Sequence, residues 1–471
     1  MLDHQLQPQA PARLTRSLGV AGVLFLTLSV TSPASSVFVI VPGMLHAAGT
    51  GAVWAMLIAA LVCVATGFIY AELSSAWPVA GGEYVAVART LGPLAGFVML
   101  GINVFNNLLF PPAIALGISA LLSDLVPGLA PIPTAMAVVA GATLVALLRI
   151  RTNAWITGAF LLVEVAALIG VVWLGAGAAV RPAFDLLVRP VMATGAGLIP
   201  ASAGGIGVAA TIAIFALNGY GAAVYFGEEM HEAPRRIARA ILLALLLTLA
   251  LEIAPLVAVL VAAPDLAQVL AGDDPFGALV RATAGDRAGD LVAVAVVIAI
   301  VNAIIACVLA CARFFYATGR DQCWGRPIDR WFVLIHPRLN SPWAATLFAG
   351  GIGTLCCLVP LQFLLVLSGT GLVAIYAGIA AATIAGRARR LTAHAPYRMP
   401  LYPLAPIVTL IALGYVCWTS WLDVDEGRPG LIATAAQIIL SAGYYALVLH
   451  RRGNWSAHMP DDEPAVRAIA P

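Results

Sequence analysis

The sequence predicts an all-α integral membrane protein of about twelve transmembrane helices. Three observations predict it. Hydrophobic residues make up 61% of the chain and charged residues 10%, with a mean hydropathy of +0.96, whereas a soluble domain carries roughly a quarter charged residues to face water. The apolar residues come in long blocks, and about 20 of them in a row are needed to cross the hydrocarbon core. The basic residues, finally, fall mostly between the blocks or near their ends.

Taken in order, the first set of blocks lies near 18–45, 50–76, 94–123, 132–149, 153–176 and 205–229. The second lies near 237–262, 288–318, 342–359, 361–385, 401–421 and 430–450. The first block is too long for a signal peptide and lacks a small-residue cleavage pattern, so it reads as an uncleaved span. All 25 basic residues are arginine. With the N-terminus inside, 20 of them fall on the cytoplasmic side and five, Arg181, Arg189, Arg281, Arg287 and Arg428, fall outside. That asymmetry satisfies the positive-inside rule and places both termini in the cytoplasm. The net charge of +2 reflects these inner loops and implies no nucleic acid. The seven cysteines lack metal spacing, and Cys307 and Cys311, one turn apart, read as small packing residues.

Two spans are interrupted. Ser32-Pro33-Ala34-Ser35-Ser36 lies halfway along the first, and Asn218-Gly219-Tyr220-Gly221 near the centre of the sixth. Proline removes a helix hydrogen bond and disfavours helix at the residue before it. Irregular backbone at membrane depth is tolerated where it lines a cavity. Breaks in the first and sixth spans occupy corresponding positions of two five-span halves, the pointer to an inverted-repeat transporter. The third span adds Pro111-Pro112, preceded by Asn103, Asn106 and Asn107.

Four ordered blocks resemble the amino acid–polyamine–organocation superfamily. They are Tyr70 to Tyr84 (YAELSSAWPVAGGEY) with Leu91-Gly92-Pro93; Phe215 to Tyr220 running on through Gly227-Glu228-Glu229 to Ile237; Asn302-Ala303 through Arg313 to Arg320-Asp321; and Pro396 to Pro403. The resemblance implies a LeuT-like fold of two inverted five-span repeats, 18–176 and 205–385, joined by an extracytoplasmic loop 177–204. Accessory spans 386–450 and cytoplasmic tails 1–17 and 451–471 complete it. It also implies a substrate site between the broken first and sixth spans. The α-carboxylate would meet the amides of Ser35, Ser36 and Val37 at a half-helix N-terminus. The α-amino group would meet carbonyls around Val30, Thr31, Phe215 and Ala216. Phe215 corresponds to an aromatic that closes over the ligand, with Asn218, Tyr220 and Asn106 bordering the pocket. The family's acid after that aromatic is replaced here by Gly221, which favours neutral cargo.

Acids within spans cost roughly 2.5–3.5 kcal/mol on insertion scales. Glu164 in the fifth span and Glu252 in the seventh are such acids, and a desolvated carboxyl that exchanges a proton can carry it through a transport cycle. Glu164 stands where many family members have lysine. A carbonyl freed by Pro255 could instead satisfy Glu252. Sodium is disfavoured because the stretch from Asn302 to Arg313 has no serine or threonine, and hard cations prefer oxygen ligands. Glu228 and Glu229, near His231 and Arg235, Arg236 and Arg239, read either as an ion-pair gate or as a solvated helix end. Glu83 and Arg89 share that ambiguity.

The expected function is therefore a bacterial inner-membrane permease for small neutral amino acids, working by proton symport or exchange among membrane lipids. No cofactor motif is present in the sequence. An amine such as ethanolamine or a polyamine is the alternative cargo. An integral-membrane enzyme would need clustered His, Asp or Glu, and the seven histidines, His4, His46, His231, His336, His394, His450 and His458, are scattered. A transporter-like sensor is the remaining alternative, with no signalling domain to support it.

Overall fold

The computed structural model describes residues 14–125, 128–194, 197–453 and 455–458. Most of the two expected tails, and His4, lie outside the described residues. Each apolar block has become helix: Val20–Thr31 continuing to Ala48, Ala52–Ala76, Pro93–Leu125, Pro131–Ala146, Ile150–Gly177 and Ala203–Ala216 continuing to Glu229. Then come Ala233–Ala262, Asp286–Arg320, Trp343–Cys356, Leu361–Ala388, Leu404–Leu422 and Gly427–Tyr444 continuing to Leu449. Among the described residues nine stretches are long and apolar enough to cross a membrane, while Pro131–Ala146 and Trp343–Cys356 are apolar but shorter. The run Val20–Ala76 counts as one stretch, yet it turns at Gly49, whose φ is +58°. A side chain at Gly49 would strike the Val191 carbonyl, 2.1 Å from the Cβ position. That contact seats a small hairpin, Val191–Thr194 paired antiparallel with Gly197–Pro200, and the Val191 N–H is fixed to the Thr50 hydroxyl at 2.8 Å.

The helices sort into two packed groups. Helix 20–31 lies against helices 150–177, 233–262 and 286–320, and helices 203–216 and 233–262 both pack on helix 52–76. The other group joins helix 286–320 to helices 93–125, 131–146 and 343–356, with helix 361–388 closing on 93–125. The interior contains hydroxyls as well as apolar groups, and many of these are satisfied locally. Thr27, Thr31, Thr66 and Thr143 each donate to the carbonyl four residues back, at 2.7–3.0 Å, as polar side chains in lipid must. The outer surface is apolar: Trp155, Trp173, Leu162, Ile439 and Leu440 are all exposed. Such a surface is unsuited to water and suited to lipid. The chain is a multi-pass, all-helical membrane protein.

Candidate functional site

The first break centres on one residue. Ser32 adopts φ 44° and ψ 73°, a left-handed conformation that L-residues rarely adopt. Pro33, with no N–H to lose, opens the next short helix, Pro33–Ser35. A wider π-helical turn, Ser36–Ile40, follows it. The Ala34 N–H freed by the break points at Glu164 and donates to Oε1 at 2.8 Å. The Ser32 hydroxyl lies 3.4 Å from the same oxygen and 3.4 Å from the Ala299 carbonyl. The other oxygen of Glu164 is buried without a partner among the described residues, and so are both oxygens of Glu252. Helix 233–262 runs unbroken through Pro255, and the reading in which Glu252 bonds a carbonyl freed by that proline has no hydrogen bond to support it.

The second break lies directly opposite. Helix 203–216 ends, Gly219 takes φ 120°, and the chain resumes as a 3₁₀ helix, Tyr220–Glu229. A Cβ on Gly219 would lie 2.7 Å from Thr31 Cα, so only glycine lets the two breaks touch. They are also joined by a hydrogen bond: the Ser36 hydroxyl donates to the Ala216 carbonyl at 3.0 Å. Asn218 accepts from the Tyr376 hydroxyl at 2.7 Å.

A cavity of about 550 Å³ opens at these breaks, within the ~300–1,000 Å³ common for small-molecule sites. Val30, Thr31, Ser35, Ser36, Phe215, Ala216 and Asn218 line it, and it extends outward to Asp423 and Glu426. Asp423 would rise with burial, but the backbone N–H groups of Glu426, Gly427 and Asp425 hold its carboxyl below the usual range. A smaller recess of about 70 Å³ shares Val30, Phe110, Asn218 and Leu372 with the cavity and adds Asn106, Asn107 and Glu83. Phe110 and Phe215 meet edge to face, 6.2 Å between ring centres, where the two spaces adjoin.

Of the ten residues expected from sequence to bind substrate, eight line one or both spaces. Val37 and Tyr220 line neither. Val37 is fully buried, and Tyr220 turns its ring onto Tyr70, 6.1 Å away. The Ser36 amide, expected to be available, donates to the Ser32 carbonyl at 3.1 Å, because the helix re-forms within one turn of the break.

Sequence reasoning missed what surrounds Glu83. This acid is buried in the segment between two spans, not solvated in a loop. Tyr70 donates to its Oε1 at 2.9 Å, and Tyr225 and Asn103 donate to its Oε2 at 2.9 and 3.1 Å. Burial pushes its carboxyl up, while its own backbone N–H and these three donors pull it part of the way back. Gly221, which replaces the expected acid, leaves the space that the Tyr70 ring occupies, 2.7 Å from where its Cβ would be.

The end of the molecule away from the cavity mouth is closed by ion pairs. Arg313 and Glu229, both buried, form a bidentate pair at 2.7 and 3.3 Å. Arg320 pairs with Glu228 and, at 3.0 Å, with Asp321. Asp321 accepts from the Tyr84 hydroxyl at 2.8 Å, and Glu228 accepts from the Ala80 N–H at 2.9 Å. Trp455 tucks in beside them, its indole N–H on the Asp321 carbonyl at 2.8 Å. The solvated-end reading of Glu228 and Glu229 is thereby corrected, and so is the choice of partners: Arg236 instead pairs with Glu232 on the surface. The glutamates enter on a 3₁₀ helix, whose three-residue turn aims them into the bundle toward helix 286–320.

The comparisons agree with this architecture. The family model described as "Amino acid permease" matches residues 18–442. The branched-chain amino acid permease BcaP of Bacillus subtilis (strain 168) is 22% identical over 429 residues, covering 87% of this chain and 90% of that protein. Uncharacterized transporters of Mycobacterium tuberculosis (strain ATCC 25618 / H37Rv) and Mycobacterium bovis (strain ATCC BAA-935 / AF2122/97) are 28% identical over 346 residues, covering 73% of each chain. The chain therefore belongs to the amino acid permease family of the amino acid–polyamine–organocation superfamily, and it is a transporter, not an enzyme.

Proposed function

We propose that the protein is a secondary active permease that carries small, neutral amino acids across a bacterial inner membrane by alternating access. One observation carries the reading. Two broken helices touch at Thr31 and Gly219 beside a cavity that reaches Asp423 and Glu426, while buried ion pairs hold Glu228 and Glu229 at the far end of the second broken helix. The packing groups support a LeuT-like arrangement of two five-span repeats, since spans one, two, six and seven keep together, as do three, four, eight and nine. Twelve crossings follow if the two shorter apolar helices cross and Gly49 separates the first two. The arginine bias then puts both termini and the ion-paired end in the cytoplasm, so the cavity faces outward.

In this reading the substrate carboxylate approaches Ser35 at the half-helix N-terminus, where the dipole favours an anion. The amino group meets the carbonyl side of Val30, Thr31 and Phe215. Phe215 closes over the ligand, and the pairs at Glu228 and Glu229 part when the inner end opens. Glu164 is the coupling residue, by proton symport or exchange. It holds the free amide of the first break, so a change in its protonation alters the local hydrogen bonding that shapes the site. Glu252, buried beside the same helices, is the second candidate for a proton. BcaP, by its name a branched-chain amino acid permease, supports amino acid cargo.

The test is uptake of labelled amino acids and amines into proteoliposomes under an inward proton gradient, repeated with Glu164→Gln. Accumulation of a neutral amino acid that the variant abolishes, with binding retained, is the expected result. Accumulation unaffected by the variant removes Glu164 from the coupling path. Uptake of an amine with no amino acid uptake overturns the cargo.

A further inference from the structure

Glu252 is fully buried, and neither of its carboxyl oxygens has a hydrogen-bond partner among the described residues. Helix 233–262, which carries it, packs against both short segments that follow the first break, Pro33–Ser35 and Ser36–Ile40. Of its other neighbours, helix 150–177 brings Glu164 to bear on the carboxyl and helix 52–76 brings Cys63, with Tyr220 beside that thiol. None of these groups is a cation. An ionised Glu252 would be buried here with neither a donor nor a countercharge, so in this structure the carboxyl is neutral.

One hydroxyl stands between this acid and the two breaks. Ser36 lies within reach of the Glu252 carboxyl, yet it gives its proton to the Ala216 carbonyl at 3.0 Å. A hydroxyl has a single proton to donate, so it serves one of the two oxygens at a time. Ala216 is the last residue of helix 203–216, and its carbonyl is among those that a helix end leaves without a helical donor. The Ser36 bond therefore both fills that vacancy and ties the first break to the second. Ser36 lines the cavity, whereas Glu252 does not. Thr248, one turn earlier on the same face of helix 233–262, has a buried hydroxyl that is also without a partner.

We propose that Ser36 is the positioning residue through which a proton on Glu252 controls the junction of the two breaks. With Glu252 neutral, the hydroxyl holds Ala216 and the breaks stay joined. When the proton leaves Glu252 for a cavity water, a carboxylate competes for the hydroxyl, and a hydrogen bond to an ionised acceptor is roughly twice as strong as one to a carbonyl. Ser36 turns to Glu252, the free Thr248 hydroxyl joins it, and the Ala216 carbonyl is released. The proposal rests on the permease reading, in which substrate lies across the joined breaks. Substrate then binds the protonated form better, and by linkage its arrival draws a proton onto Glu252, the direction that symport needs. Glu164, on the other side of the Pro33–Ser35 segment, reinforces the switch, because two like charges this close disfavour ionising together.

The experiment uses the purified full-length protein and two readouts, each taken from mildly acidic to mildly alkaline buffer. The first needs no substrate: amide hydrogen exchange of the segments 31–40 and 216–225, scaled at every pH to the same segments unfolded. Wild-type exchange is expected to step up as pH rises, by roughly twofold to tenfold, the effect of losing one hydrogen bond. Glu252→Gln, which cannot ionise, should stay slow throughout, and Ser36→Ala should be fast throughout. Ser36→Thr keeps a hydroxyl and should restore the step. The second readout is calorimetric binding of alanine and leucine, whose affinity should fall over the same range in the wild type and in Ser36→Thr and stay flat in the other two variants. A wild-type protein without the step overturns the switch before any variant is made. A step that survives Glu252→Gln moves the proton to another group, and one that survives Ser36→Ala removes the hydroxyl from the path; either result overturns the proposal. The expected exchange pattern without binding of any amino acid upholds the switch and sinks the amino acid reading instead.

Discussion

Replacing Glu229 with leucine is expected to cause a large fall in the melting temperature of the detergent-solubilised protein. The variant strands Arg313, which is fully buried and loses both of its charge-assisted bonds. One bond remains, from Arg313 to the Leu309 carbonyl at 3.2 Å, too little to solvate a guanidinium. Breaking one partner of a buried pair costs about 3–5 kcal/mol. Replacing both, as Glu229→Leu with Arg313→Met, removes the stranded charge and should recover most of the loss, since an apolar pair of similar volume can match a buried ion pair. Arg236→Ala is the control. Its pair with Glu232 is about half exposed on both sides, and surface pairs contribute about 0–1 kcal/mol. A Glu229→Leu variant that melts with the wild type would mean that the pair is not held in the protein as it stands in detergent.

Gly219→Val is expected to abolish uptake. The position carries two independent constraints. Its φ of 120° lies where L side chains are strained, at a cost of about 1–3 kcal/mol. Its Cβ would also stand 2.7 Å from Thr31 Cα and 3.0 Å from Thr31 N, backbone atoms that cannot swing aside as a side chain tip does. Relief requires the two breaks to separate, and with them the Ser36–Ala216 hydrogen bond. Substrate binding should fall together with uptake. Gly414→Ala provides the comparison, because its Cβ would meet nothing within 4 Å; normal uptake is expected there. Wild-type uptake by Gly219→Val would show that the crossing of the breaks is not needed for transport.

The helices were legible because lipid imposes a local rule: a span must be apolar along its own length. The breaks were legible for the same reason, since Pro33 and Gly219 act on the backbone within a turn of themselves. Side-chain destinations were not local. Glu83 and Tyr225 are 142 residues apart in the chain, and nothing in either segment names the other. Glu228 and Glu229 found arginines 92 and 84 residues away and bypassed the three in the adjoining sequence. Which partner a charge meets depends on the direction in which a broken helix resumes, and one residue of 3₁₀ or π geometry changes that direction. Tyr220, aimed away from the cavity, and Ser36, whose amide was recaptured by Ser32, follow from the same cause.

The lodging of Trp455 has a consequence for how the chain is made. Its indole rests on the Asp321 carbonyl, against Phe97 at 5.3 Å, so the tryptophan and its seat are 134 residues apart. At about 5–20 residues per second, the ribosome delivers the seat many seconds before the residue that fills it. During that interval the helices from Arg326 to Leu449 are still being added, and the seat beside Asp321 and Phe97 stays unfilled. The last segment described is thus also the one that completes the cluster during synthesis.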